Sequence, residues 1–184
     1  MELLKHFNLA LLVLGFTWQV WAVQKFFRKD DGEKQPQRFA LIKFMAPIAV
    51  VTLAAFILTG TTATLPFQFA ATVCLIAYLV LYGWALRSVG KNRFFLAYST
   101  STPSEMMESG PYRWTRHPFY TSYLLSYLGG ALASEDLYAI PVVVLMVSIY
   151  SGAARFEEQR LRTAAFGAAY ENYQRRVGRF TPWF

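Results

Sequence analysis

Residues 67–89 read FQFAATVCLIAYLVLYGWALRSV, a run with no charge before Arg87. A helix rises about 1.5 Å per residue, so roughly 20 apolar residues cross a hydrocarbon core about 30 Å thick. The run is long enough to span, and it has too few polar positions to leave a water-facing stripe. Working outward, 9–27 and 39–60 are two further candidates upstream. Downstream, 119–133 and 137–153 are shorter, and only Ser134, Glu135 and Asp136 lie between them. Two short helices joined so tightly read as an antiparallel hairpin. Five crossings result, and the expected fold is an all-α integral membrane protein.

Composition agrees. Of the 184 residues, 55% are apolar and only 16% are charged, against about 25% charged in soluble domains. A soluble globule, a secreted disulfide scaffold and a disordered chain are disfavoured. The single cysteine, Cys74, rules out an intramolecular disulfide, and with only His6 and His117 little is left for a metal centre, so none is expected. Cys74, Met45 and Met146 read as packing residues.

Charge placement tests the crossings independently. Lys25, Arg28, Lys29, Lys34, Arg38 and Lys43 flank the first connection, and Arg87, Lys91, Arg93, Arg113 and Arg116 belong to the third. The tail carries Arg155, Arg160, Arg162, Arg175, Arg176 and Arg179. All but Lys5 of the 18 basic residues thus fall on one side. Excess Lys and Arg marks the cytoplasmic face. The N-terminus is therefore expected outside, with connections 25–43 and 87–117 and the C-terminus cytoplasmic. The lipid bilayer is the expected partner. Nucleic acid is not, because the net charge of +7 sits at membrane ends rather than on a basic, aromatic-studded soluble face. The first helix has only Lys5 before a long apolar stretch and reads as retained rather than cleaved.

Two cytosolic segments are too particular to be connectors. Segment 90–118 contains Gly90, Pro103, Gly110, Pro111 and Pro118 among polar residues, and long loops of this kind are usually functional. Segment 155–173 sets Phe156, Leu161, Phe166, Tyr170 and Tyr173 among charges, the pattern of an amphipathic helix continuing out of the fifth crossing. Residues 28–37 read as a solvated, charge-rich hinge.

The loop ends in Gly110-Pro111-Tyr112-Arg113-Trp114-Thr115-Arg116-His117-Pro118-Phe119-Tyr120. Pro118 suits the first turn of a helix, which places Arg116 and His117 at an N-terminal end whose free amides and dipole favour an anion. An arginine fork there is matched to a carboxylate or phosphate, so a metabolite with an acidic group is a natural occupant. Alternatively, Arg113 and Arg116 are membrane-edge anchors and the tyrosines an aromatic belt. Glu158 falls one turn past Arg155 and can share its face, either as a ligand-holding carboxylate or as a solvated ion pair. His117 is placed to accept a proton near neutral pH or to donate to a ligand oxygen.

Gly110-Pro111-Tyr112, Arg116-His117-Pro118 and Tyr120 resemble the G-x-Y-x-x-x-R-H-P-x-Y signature of the isoprenylcysteine carboxyl methyltransferase family, a relative of the phospholipid methyltransferases. Glu157-Glu158, Leu161, Phe166-Gly167, Tyr170, Tyr173 and Pro182 resemble that family's E-E-x-x-L-x-x-x-F-G-x-x-Y-x-x-Y…P ending. The likeness covers about 87–182. Beside the apolar runs, it implies one membrane domain, 1–184, whose three N-terminal transmembrane helices, over 1–89, are those of the hydropathy reading. The catalytic half, 90–184, would build its cofactor site from the loop, hairpin and C-terminal helix. It also implies S-adenosyl-L-methionine as cofactor and a small apolar or lipid-like methyl acceptor. Carried over, Met106, Met107, Tyr112, Arg116, His117, Pro118, Phe119, Tyr120 and Glu158 would bind the cofactor. Arg155, His117 and Glu158 are the candidate catalytic residues, with Arg155 on the substrate. An NADPH-dependent reductase of the sterol-reductase type and a non-catalytic membrane component are the competing readings. The acceptor atom and the oligomeric state stay open.

Overall fold

The computed structural model describes residues 1–26, 37–89 and 106–182. Residues 28–36 of the charge-rich hinge and the first part of the long loop, 90–105, lie outside them. The described residues form six α-helices and one 3₁₀ turn: α1 (Glu2–Phe26), α2 (Gln37–Thr59), α3 (Leu65–Val89), the turn Gly110–Arg113, α4 (Pro118–Ser134), α5 (Ala139–Arg162) and α6 (Gly167–Arg176). The all-helical expectation holds among them. Four helices, α1, α2, α3 and α5, are long and apolar enough to cross a membrane. Such segments are helical because a lipid core offers backbone groups no partner but one another.

At 17 residues, α4 is shorter than these, and it is enclosed by its own protein: α1, α2, α3 and α5 all pack on it. Two glycines allow this. A β-carbon on Gly129 would lie 2.8 Å from the Leu75 side chain of α3, and one on Gly130 would crowd Leu53 of α2 and Leu12 of α1. Small residues at such crossings bring helix backbones close where no water drives association. Tyr120, Tyr123 and Tyr127 line one face of α4 against Tyr150 of α5, with ring centroids 5.2, 5.5 and 6.2 Å from the Tyr150 ring.

One end of the bundle is locked by polar groups. Lys5, only 4% exposed, donates to the Gly60 carbonyl. Asn8 donates to the Gln68 side chain at 3.0 Å, and Gln68 donates to the Ala133 carbonyl at 2.9 Å. Glu135 in the α4–α5 turn accepts from the Thr64 amide (2.6 Å), the Thr64 hydroxyl (2.9 Å) and Gln68 (3.0 Å). Its own backbone is left-handed, at φ 51°.

The opposite end departs from expectation in one respect. The hairpin's second arm is a single 24-residue helix running on to Arg162, not a short crossing followed by one continuous helix over 155–173. The chain turns at Thr163–Phe166 before α6 begins. Gly167 enforces the turn, since a β-carbon there would overlap the Arg162 carbonyl. The amphipathic character survives in α6: Tyr170 and Tyr173 are buried, and with Val177 they pack against Met106, Leu161 and Phe166.

Candidate active site

The 3₁₀ turn sits against the end of α3 and begins at Gly110, whose φ of +61° favours glycine. After it, Thr115 pairs with Gly178 in an isolated parallel bridge. The Arg116 and His117 amides donate to the carbonyls of Gly178 and Arg179 at 2.9 and 3.2 Å. The Thr115 hydroxyl donates to Arg179 O at 2.7 Å, and Thr121 donates to Phe180 O at 3.1 Å. The tail beyond α6 therefore lies alongside the loop where it enters α4.

Beneath this seam, α5 delivers Glu157 and Glu158. Glu158 is 2% exposed and carries three basic neighbours. Arg116 donates through Nε at 3.2 Å and a terminal nitrogen at 3.0 Å. Arg179 donates to both oxygens, at 3.0 and 2.7 Å. His117 Nε2 stands 3.2 Å away. Arg116 also donates to the carbonyls of Gln174 and Val177, at 3.0 and 2.5 Å. Glu157 accepts from the Tyr120 hydroxyl and faces His117 Nδ1 at 3.4 Å. The His117 ring is stacked on Tyr120 at 5.4 Å. Burial alone would push the imidazole's pKa down. The hydrogen bonds and charges of Glu157 and Glu158 outweigh that and hold it above the ordinary histidine value.

Arg116, His117, Tyr120 and Glu158 are thus brought together as the sequence leads one to expect. Met106 and Met107 are half-buried, and Met106 packs under α6. The Tyr112 carbonyl accepts from the Tyr173 hydroxyl at 2.6 Å. The Tyr112 phenol is pushed up by burial and by the charge of Glu157.

Two expectations need correction. The N-terminal corner of α4 is not open to an acidic metabolite at Arg116 and His117, because tail carbonyls take those two amides and the protein's own Glu158 is the anion. Arg155 does not share Glu158's environment: it is exposed, one turn back and rotated outward, and makes no ion pair among the described residues. Phe119 packs on Tyr82 of α3, ring centroids 5.7 Å apart, and Pro118 is the buried first residue of α4. Sequence reasoning missed Arg179 and Gln174. It also passed over Glu157 for its neighbour, although the paired carboxylates were visible.

The family described as phospholipid methyltransferase matches residues 66–169, more than half the chain. The chain belongs to the phospholipid methyltransferase family. The match takes in α3, the loop, α4, α5 and the start of α6, so the residues gathered on Glu158 belong to this methyltransferase segment, apart from the tail. The chain is also 32% identical over 108 residues to the cobalt-zinc-cadmium resistance protein CzcN of Cupriavidus metallidurans, a match covering 59% of this chain and 50% of that protein. The chain therefore matches about half the length of this curated relative. No solved structure matches it.

Proposed function

We propose that this membrane methyltransferase-family protein moves a methyl group from S-adenosyl-L-methionine to a small apolar or lipid-like acceptor. The basic end of the bundle faces the cytosol, following the charge bias. The observation that carries the reading is the gathering of Arg116, His117, Glu157 and Glu158 at one end of the helix bundle, from loop and helix segments about 40 residues apart.

The donor set suits the cofactor. S-adenosylmethionine is a cation with ribose hydroxyls and an amino group, which call for a carboxylate, and Glu157 is the one still 24% exposed. When bound, S-adenosylmethionine supplies an activated sulfonium methyl. The protein's residues then orient and exclude water. Glu158, gripped by two arginines, fixes the arrangement. Met106, Met107, Tyr112, Pro118, Phe119 and Tyr120 supply the walls, and exposed Arg155 meets the acceptor. A carboxylate or thiolate acceptor needs no base. For an amine acceptor Glu157 is the better base, since His117 is held toward its protonated form and Glu158 is fully engaged.

The test is binding of radiolabelled S-adenosylmethionine to the detergent-solubilised protein, followed by label transfer to a membrane extract and identification of the product. Saturable binding with transfer is expected. Binding of NADPH in its place would overturn the reading in favour of a reductase.

A further inference from the structure

The polar groups around Glu158 are paired, but two donors beside them are not. The Tyr170 hydroxyl and the Gln174 side-chain nitrogen Nε2 are buried with no hydrogen-bond partner. Buried donors nearly always find one, so both invite an explanation. They stand one turn apart on α6, spaced to share a face.

Both are held in place. Gln174 Oε1 accepts from Arg162 Nε at 2.9 Å, and the Gln174 carbonyl accepts from Arg116 at 3.0 Å, which leaves the side-chain nitrogen as its unspent group. Tyr170 is 2% exposed and packs on Tyr173, centroids 6.0 Å apart. Burial pushes its phenol up, the charge of Glu158 pushes it further, and Arg116 pulls it back. The ring therefore lies within the field of the Glu158 cluster. Both unspent groups are donors, so the missing partner is an acceptor, and Arg162, which holds the Gln174 side chain, favours one that carries negative charge over a neutral carbonyl. Two oxygens on one planar group would satisfy both donors at once.

We propose that Tyr170 and Gln174 form a subsite for a ligand carboxylate. Resting on the function proposed above, that carboxylate is the one on the methionine portion of S-adenosylmethionine.

Decarboxylated S-adenosylmethionine lacks only this group, which makes it the discriminating probe. Calorimetric titration of the detergent-solubilised full chain should show wild type binding S-adenosylmethionine at least tenfold more tightly than the decarboxylated compound. Tyr170→Phe should bind S-adenosylmethionine about tenfold more weakly, the effect of one hydrogen bond to a charged group. Its affinity for the decarboxylated compound should stay within about twofold of wild type. Because the hydroxyl has no protein partner, ligand-free Tyr170→Phe should melt at the wild-type temperature or above it. Unchanged affinity of Tyr170→Phe for S-adenosylmethionine, with wild type binding normally, overturns the subsite alone. So does an equal loss for both compounds, or a lowered melting temperature that assigns the hydroxyl a structural water. Failure of wild type to bind either compound overturns the proposed function as well.

Discussion

Arg179 clasps both oxygens of Glu158, at 3.0 and 2.7 Å, although it lies in the tail beyond α6 and Glu158 lies in the last turns of α5. Arg116 meets the same carboxylate from the other side. One buried anion thus bridges two guanidinium groups contributed by two separate segments. Removing one member of such a group strands the others, a loss of about 3–5 kcal/mol for fully buried pairs. Glu158→Ala should approach that loss in denaturant unfolding and abolish cofactor binding. Arg179→Gln should cost far less, because Arg179 is 33% exposed and solvent screens its charge.

His117 makes stability depend on pH in a stated direction. Its folded pKa is raised above 6.5, so its stabilising contribution is complete below the unfolded value and fades as pH rises through the folded one. The melting-temperature difference between wild type and His117→Gln should be largest below about pH 6.5 and shrink on the alkaline side. A difference that grows with pH would contradict the arrangement of His117 between two carboxylates.

Gly167→Ala should dislodge α6, because the added methyl meets the Arg162 backbone rather than a side chain that can swing away. The expected loss is about 1–3 kcal/mol of stability, together with weaker cofactor binding. Gly152→Ala is the control, since nothing lies within 4 Å of a β-carbon there, and it should weaken neither.

Glu135→Ala removes three hydrogen bonds at the far end of the bundle. It should lower stability by about 1–2 kcal/mol and leave cofactor affinity within about twofold. Slight burial pushes the Glu135 carboxyl up, but the hydrogen bonds from Gln68 and Thr64 outweigh it and hold the group below its usual value. Its contribution is present above about pH 4.5 and is lost as pH falls through the folded pKa. The wild-type advantage over Glu135→Ala should therefore vanish on acidification.

Arg155→Ala should leave melting temperature and cofactor affinity at wild-type values, since the side chain is exposed. If Arg155 meets the acceptor, the loss appears in kcat/KM for methyl transfer alone.

The helices were legible because apolar length is written along the chain, and the loop–carboxylate pairing because its residues sit in compact motifs. The break after Arg162 was not legible: Phe166 and Gly167 continue an apolar spacing that looks helical until the steric demand at Gly167 is seen in three dimensions. Arg179 stayed hidden because a lone basic residue in a tail has no period and no neighbouring motif. The outward turn of Arg155 was missed because three residues of spacing put two side chains on nearby, not identical, faces. At the edge of a buried cluster that difference separates burial from solvent.

Helix α4 has a consequence for how the protein comes to be. It is short, carries serines and tyrosines along much of its surface, and is wrapped by four neighbours. A segment of that kind gains little by partitioning into lipid unaided. Its place is set by the four helices that pack on it rather than by its own apolar length, so assembly of the bundle has to seat it between partners made both before and after it.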